Sequence, residues 1–284
     1  MGDFRTRRRS RPSPRGRAAM TEPQNRKQVQ GDEAAPSPGT QRRWISRDLQ
    51  IDLGIFFGII LVMGVLLLPL IQSGHTPSYR SMCKSDMRQL GVALAVYHDT
   101  FGCFPPAYIA DQNGVPMHSW RVLILPYFED EECHRLYEQY DLNEPWDGPN
   151  NSKLAMEMPY PYGCSYDQSE SNTSFVAVIG DQTAWAGTST RSIQQITDGT
   201  SKTISVIEVK DSGIRWTEPR DLTLAEASRP INSVSSTAIS SLHGDGAHAL
   251  LCDGSVRFLT KELPPETLRA MLTANGGEPI EDPY

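Results

Sequence analysis

Between Leu53 and Ile71 the chain runs for nineteen residues without a charge or a side-chain amide. At ~1.5 Å per residue a helix of that length covers roughly 28 Å, close to the ~30 Å hydrocarbon thickness of a bilayer. A buried core helix rarely runs this long without one polar face, so the run predicts a transmembrane helix over 49–73. Trp44, Arg42, Arg43 and Arg47 stand just before it, where interfacial anchors and positive-inside charges belong. No small-x-small cleavage site follows Ile71, so the expectation is a retained anchor rather than a removed signal peptide.

Charge divides at the same place. Residues 1–50 carry twelve Lys or Arg against five Asp or Glu, whereas residues 72–284 carry fifteen against twenty-eight. That asymmetry predicts a cytoplasmic N-terminus and an exported C-terminal domain, a single pass through the inner (cytoplasmic) membrane. Residues 1–48 are rich in Arg, Pro, Ser and Gly and hold too little apolar surface to offset ordering entropy, so they read as a disordered basic tail. No aromatic side chains alternate with its arginines as base-stacking would require, so the bilayer, not nucleic acid, is the expected partner. All five cysteines, Cys83, Cys103, Cys133, Cys164 and Cys252, lie beyond the apolar run, where disulfides are chemically allowed. Their odd number leaves at least one free or paired between chains, and no C-x-x-C spacing suggests a zinc ribbon.

In the domain expected over 76–284, Thr76-Pro77 has the form of an N-cap followed by proline at the first helical position. Met87, Leu90, Leu94, Tyr97 and Phe101 then recur at helical spacing as an amphipathic stripe, with Lys84, Asp86 and Arg88 on the other faces. A hinge is expected before this helix at Gly74 and Pro77. A second helical stretch covers 120–140, broken near Pro126, with Tyr127, Phe128, Leu136 and Tyr137 as core candidates. Short strands are expected at 173–179, 203–209, 248–252 and 255–259, the last two joined by the turn signal Asp253-Gly254. A final helix begins near Pro264-Pro265-Glu266 and carries Leu268, Met271 and Leu272. One helical spine with a meander of antiparallel strands makes an α+β domain.

These blocks resemble a bacterial family. His243, nine further residues and Asp253-Gly254 form an H-x9-DG motif. It is accompanied by Leu90-Gly-Val-Ala-Leu94, Phe104-Pro105-Pro106, Trp120-Arg121-Val122-Leu123 and Asp198-Gly199-Thr200-Ser201. Together they are similar to domain-of-unknown-function family 1559, pseudopilin-like proteins whose C-terminal motif is associated with prepilin processing. The resemblance implies a transmembrane and spine helix packed on a pilin-like antiparallel sheet, with pseudopilin-like or other envelope proteins as partners. It also implies a disulfide between Cys83 and Cys164. Calcium is known in related pseudopilins and Asp198 or Asp253 could serve, but both sit in Asp-Gly turn contexts that explain them without an ion. The family's usual Gly-Phe-Thr-Leu-Ile-Glu signal is missing, since this chain has Arg47-Asp-Leu-Gln-Ile-Asp-Leu-Gly54 there. Filament assembly is therefore not implied.

Chemistry is poorly signalled. His243, Asp245, His248 and Asp253 are the richest polar cluster, but strand alternation sets positions five apart on opposite faces. His243, Asp253 and Gly254 are thus read as structural, His243 capping or bridging the hairpin, with no metal and no cofactor expected. No G-x-S-x-G elbow, phosphate loop or Ser-x-x-Lys occurs. His98-Asp99 reads as a helix C-terminal cap. The expectation is a non-enzymatic, membrane-anchored, pseudopilin-like envelope protein. Two alternatives remain open: an exported metal-binding or hydrolytic enzyme centred on His243 and Asp253, and an anchored glycan-binding module using Trp120, Trp146, Trp185 and Trp216.

Overall fold

The computed structural model describes residues 47–72, 75–167, 169–233 and 237–280, with side chains from 51 to 65 and from 79 onward. The tail expected over 1–48 and the hinge expected at Gly74 lie outside these residues, apart from the first two residues of the first helix. The chain divides into two compact units, Met1–Ile59 and Ile60–Tyr284.

Helix α1 covers Arg47–Gln72. Its side chains from Ile51 to Val65 are apolar on every face apart from Asp52 and the glycines, and the large ones are 50–69% exposed. Among the described residues no helix is long and apolar enough to cross a membrane. A helix thus covers the expected range as far as Gln72. The membrane-spanning helix expected over 49–73 is not found among the described residues, whose side chains from 51 to 65 reach only about 22 Å at the α-helical rise.

Helix α2, His75–Phe101, begins one residue before the expected cap. Its buried stripe is Cys83, Met87, Leu90, Ala93 and Leu94, with Tyr97 partly buried. Two expectations for this helix are corrected. Phe101 is 55% exposed, with its ring tilted against Tyr97 at 4.5 Å between centroids and edge-on to Tyr127 at 6.3 Å. Asp86 is fully buried, because it lies three residues after Cys83 and four before Leu90, within the apolar stripe.

A two-stranded hairpin follows, β1 (Tyr108–Ala110) and β2 (Pro116–Ser119). The expected second helix is three pieces: α3 (Trp120–Ile124), a 3-10 turn Leu125–Tyr127 containing Pro126, and α4 (Glu131–Gln139). Asp130 caps α4 by accepting from the backbone N–H groups of Glu132 and Cys133. A one-turn helix α5 (Asn151–Leu154) and a 3-10 turn Tyr160–Tyr162 lead into the main sheet.

That sheet has five strands in the order β5-β3-β4-β6-β7: β3 (Phe175–Ile179), β4 (Ile204–Glu208), β5 (Leu222–Thr223), β6 (Gly246–Leu251) and β7 (Val256–Thr260). The four strands expected from sequence form the antiparallel meander, but β5 pairs parallel with β3, so the sheet is mixed rather than antiparallel. Both faces are covered. Phe175, Ala177, Val206 and Leu250 join α2, Trp120, Trp185 and Trp216 in one core. Val176, Ile207, Ala249 and Leu251 join Ala227 of α6 (Leu224–Ala227) and Leu268, Met271 and Leu272 of α7 (Pro265–Leu272) in the other. That is why β4 and β6 are buried along their whole length.

Asp253-Gly254 turns the β6–β7 hairpin, Gly254 taking a left-handed φ of +83°. The tip rests on α2 at Gly91, where an added Cβ would lie 3.3 Å from the Gly254 carbonyl oxygen and 2.9 Å from Leu250. Cys83 and Cys164 form a disulfide, Cα atoms 4.9 Å apart, across 81 residues of sequence. Closing a loop that long stabilises a fold by about 4.5 kcal/mol in the chain-entropy account.

Candidate functional site

The H-x9-DG residues do not meet. His243 precedes the six-residue strand β6 and Asp253 follows it, so they stand roughly 20 Å apart at strand rise. Asp253 Oδ1 accepts from the backbone N–H and the hydroxyl of Ser255, at 2.8 and 2.7 Å. Asp198 is similarly engaged, its two oxygens accepting from the Gly276 and Gly277 N–H groups at 2.7 and 2.9 Å. Both carboxylates thus clamp neighbouring backbone, Asp198 through both oxygens and Asp253 through Oδ1. Trp120, Trp185 and Trp216 are buried, which removes them from any glycan platform. His98, in the last turn of α2, accepts from the Ile193 N–H and rests on Phe104.

What His243 does meet is a different set. The loop from Ser241 to Asp245 includes Gly244 at φ +75°. His243 lies in that loop, outside the strand, so alternation along β6 does not govern its side chain. Its ring stands 5.5 Å from that of His248, the pair T-shaped. Strand alternation had placed the two histidines apart, and the left-handed glycine is the physical reason they come together. It does not bridge the Asp253-Gly254 turn.

Between them lies Glu208, the last residue of β4 and fully enclosed. Glu208 Oε2 accepts from the His248 backbone N–H at 2.9 Å and from His248 Nδ1 at 3.0 Å. Glu208 Oε1 faces His243 Nε2 at 3.7 Å. The same Nε2 is 3.8 Å from Cys164 Sγ of the disulfide. Burial holds the His243 pKa below its ordinary value; Glu208 opposes this, while His248 and Arg80 add to it. Burial therefore favours the neutral imidazole of His243, and the nearest sulfur is locked in the disulfide.

Over this cluster opens a cavity of about 520 Å3, lined among others by Tyr79, Arg80, Tyr166, His243, His248 and Phe258. The Arg80 guanidinium sits 3.2 Å from the Phe258 ring centroid, and Tyr79 packs on Tyr166 at 4.9 Å. The lining is thus aromatic with cationic groups, and it includes both histidines, behind which Glu208 and the disulfide adjoin His243. Sequence reasoning missed Glu208 altogether. Its only signal is an acidic residue closing an otherwise apolar strand, Ile204-Ser-Val-Ile-Glu208, whose burial depends on partners 40 residues away.

No curated protein and no solved structure matches the chain. A family model does. SBP_bac_10, described as a protein of unknown function (DUF1559), matches residues 80–162 and 210–266, stretches that hold Cys83, His243, His248 and the Asp253-Gly254 turn, and the chain belongs to that family.

Proposed function

We propose that the chain is a membrane-tethered, non-enzymatic envelope protein of pseudopilin-like construction, whose domain from residue 76 onward works by docking other envelope proteins. One observation carries the tether: α1 presents large apolar side chains on all sides, each at least half exposed from Ile51 to Val65. A helix without a polar stripe is at home only when something apolar surrounds it. The apolar run continues in sequence to Ile71, which brings its length to that of a bilayer core. The long helix α2, laid against β6, β7 and the turn Tyr160–Tyr162, supports the pseudopilin-like reading. The Cys83–Cys164 disulfide supports an oxidising compartment for the domain.

The experiment is alkaline carbonate extraction of membranes from cells expressing the full chain, followed by protease treatment of spheroplasts. The expected result is a chain that stays with the membrane and loses its C-terminal domain to external protease. Release into the carbonate supernatant removes the tether, and a protected domain reverses the orientation.

A further inference from the structure

The side chains of Cys83, Cys164, Glu208 and His243 converge so closely that one candidate ligand atom from each lies within 4.8 Å of all the others. Three of the four residues are buried, and the His243 side chain is only 7% exposed. The set unites two sulfurs, an imidazole Nε2 and a carboxylate oxygen, the donor types that hold tetrahedral zinc. Zinc–ligand bonds of about 2.0–2.3 Å give tetrahedral ligand-to-ligand edges of about 3.3–3.8 Å. Two edges already have that length: His243 Nε2 to Glu208 Oε1 at 3.7 Å and His243 Nε2 to Cys164 Sγ at 3.8 Å. The edge that does not fit is the one between the sulfurs, because they share a covalent bond.

We propose that this cluster is a redox-gated zinc site, closed to metal as the Cys83–Cys164 disulfide and opened when a dithiol reduces it. In the opening step the dithiol supplies two electrons and two protons. The S–S bond breaks, Cys83 and Cys164 become thiols, and the dithiol leaves as its own disulfide. Zinc then displaces both thiol protons and binds two thiolates, the Glu208 carboxylate through Oε1 and the neutral His243 through Nε2.

The surroundings suit that centre. His248 donates its Nδ1–H and its backbone N–H to Glu208 Oε2, which fixes the carboxylate and leaves Oε1 as the ligand atom. Such outer partners orient first ligands and raise their affinity. Two thiolates and a carboxylate outweigh the charge of the ion by one. Arg80 and Lys84 line the cavity beside His243 and lie on the side of the excess. Of the four ligands, His243 lines that cavity. Two of the three remaining cysteines do not compete: Cys133 and Cys252 are buried, and burial raises both thiol pKa values, that of Cys133 to about 12. The site is independent of the membrane tether, since its residues all belong to the folded domain.

The test uses the full chain in detergent, half of it reduced with dithiothreitol and desalted without oxygen. Both halves receive zinc, are desalted again and are measured for metal by atomic emission. Cobalt replaces zinc in a parallel sample, so that thiolate-to-cobalt charge-transfer bands report the ligands directly. Reduced protein is expected to retain one zinc per chain and to show tetrahedral cobalt bands, and oxidised protein neither. Cys83→Ser with Cys164→Ser abolishes the bands, and Glu208→Gln raises Kd by at least the ~10–100-fold expected from loss of an outer partner such as His248. Reduced wild-type protein without metal overturns the proposal, and that measurement needs no substitution that threatens folding. Equal binding by the oxidised protein, or unchanged cobalt bands in the double serine variant, also overturns it.

Discussion

Asp86 is the residue whose environment least suits its chemistry. It is fully buried on α2, one oxygen accepts from the Ser165 hydroxyl at 3.1 Å, and the other has no hydrogen-bond partner. Burial raises its pKa, and the hydrogen bonds from Ser165 and Tyr160 offset this only in part. A carboxyl with a raised folded pKa favours the folded state below the unfolded value of about 3.9, and that contribution is lost as pH rises through the folded pKa. Asp86→Asn is therefore expected to gain on the wild type as pH rises, reaching about 1 kcal/mol at pH 8, with no gain near pH 3.5. Urea unfolding at both pH values measures it. An equal effect at both would mean that the charge of Asp86 is not what the fold resists.

At the level of elements, the β6–β7 hairpin separates two kinds of glycine. At Gly254 the backbone is left-handed and an added Cβ meets nothing, so Gly254→Ala is expected to cost only the roughly 1–2 kcal/mol of a strained φ. At Gly246 an added Cβ falls 2.0 Å from the carbonyl oxygen of Leu259 on the paired strand. Gly246→Ala must push β7 away and is expected to cost roughly 3 kcal/mol or more. Denaturant melts of the two variants rank them, and the reverse order would refute the hairpin geometry. Of these elements, α2 and the hairpin were legible in the sequence, one through a 3.6-residue apolar period and the other through Asp-Gly. β5 was not, because two residues, Leu222-Thr223, carry no periodicity, and its parallel pairing with β3 is set by tertiary packing. The candidate site was half legible. His243 and His248 stood out as residues, but their convergence needed Gly244 to bend the chain and Glu208 to arrive from another strand.

Across the domain, one fully buried ion pair joins segments a hundred residues apart. Arg121 on α3 donates to Asp221 beside β5 at 2.5 Å, and neither side chain is exposed. Asp221 also accepts from the Trp120 indole N–H and the Ala177 backbone N–H, while Arg121 donates to the Phe175 carbonyl. Sequence patterning cannot see such a pair, since it reads Arg121 as one more polar residue in Trp120-Arg-Val-Leu123. Arg121→Met leaves a buried carboxylate alone and is expected to cost roughly 3–5 kcal/mol. Adding Asp221→Asn, which removes the orphaned charge but keeps an acceptor for Trp120 and Ala177, is expected to recover a large part of it. Additive losses in that double-mutant cycle would show that the two side chains are not energetically coupled.

The cystine has one more consequence, for how the molecule comes apart. Cys83 and Cys164 bracket the β1–β2 hairpin and helices α3, α4 and α5. A protease that cuts the exposed turn at Asn113-Gly114, or any other bond between the two cysteines, severs the chain without releasing a fragment, because the two ends stay joined through sulfur. A nicked chain therefore migrates whole until its thiols are freed, and whatever reduces the bond decides at once whether the damaged chain persists or is dismantled.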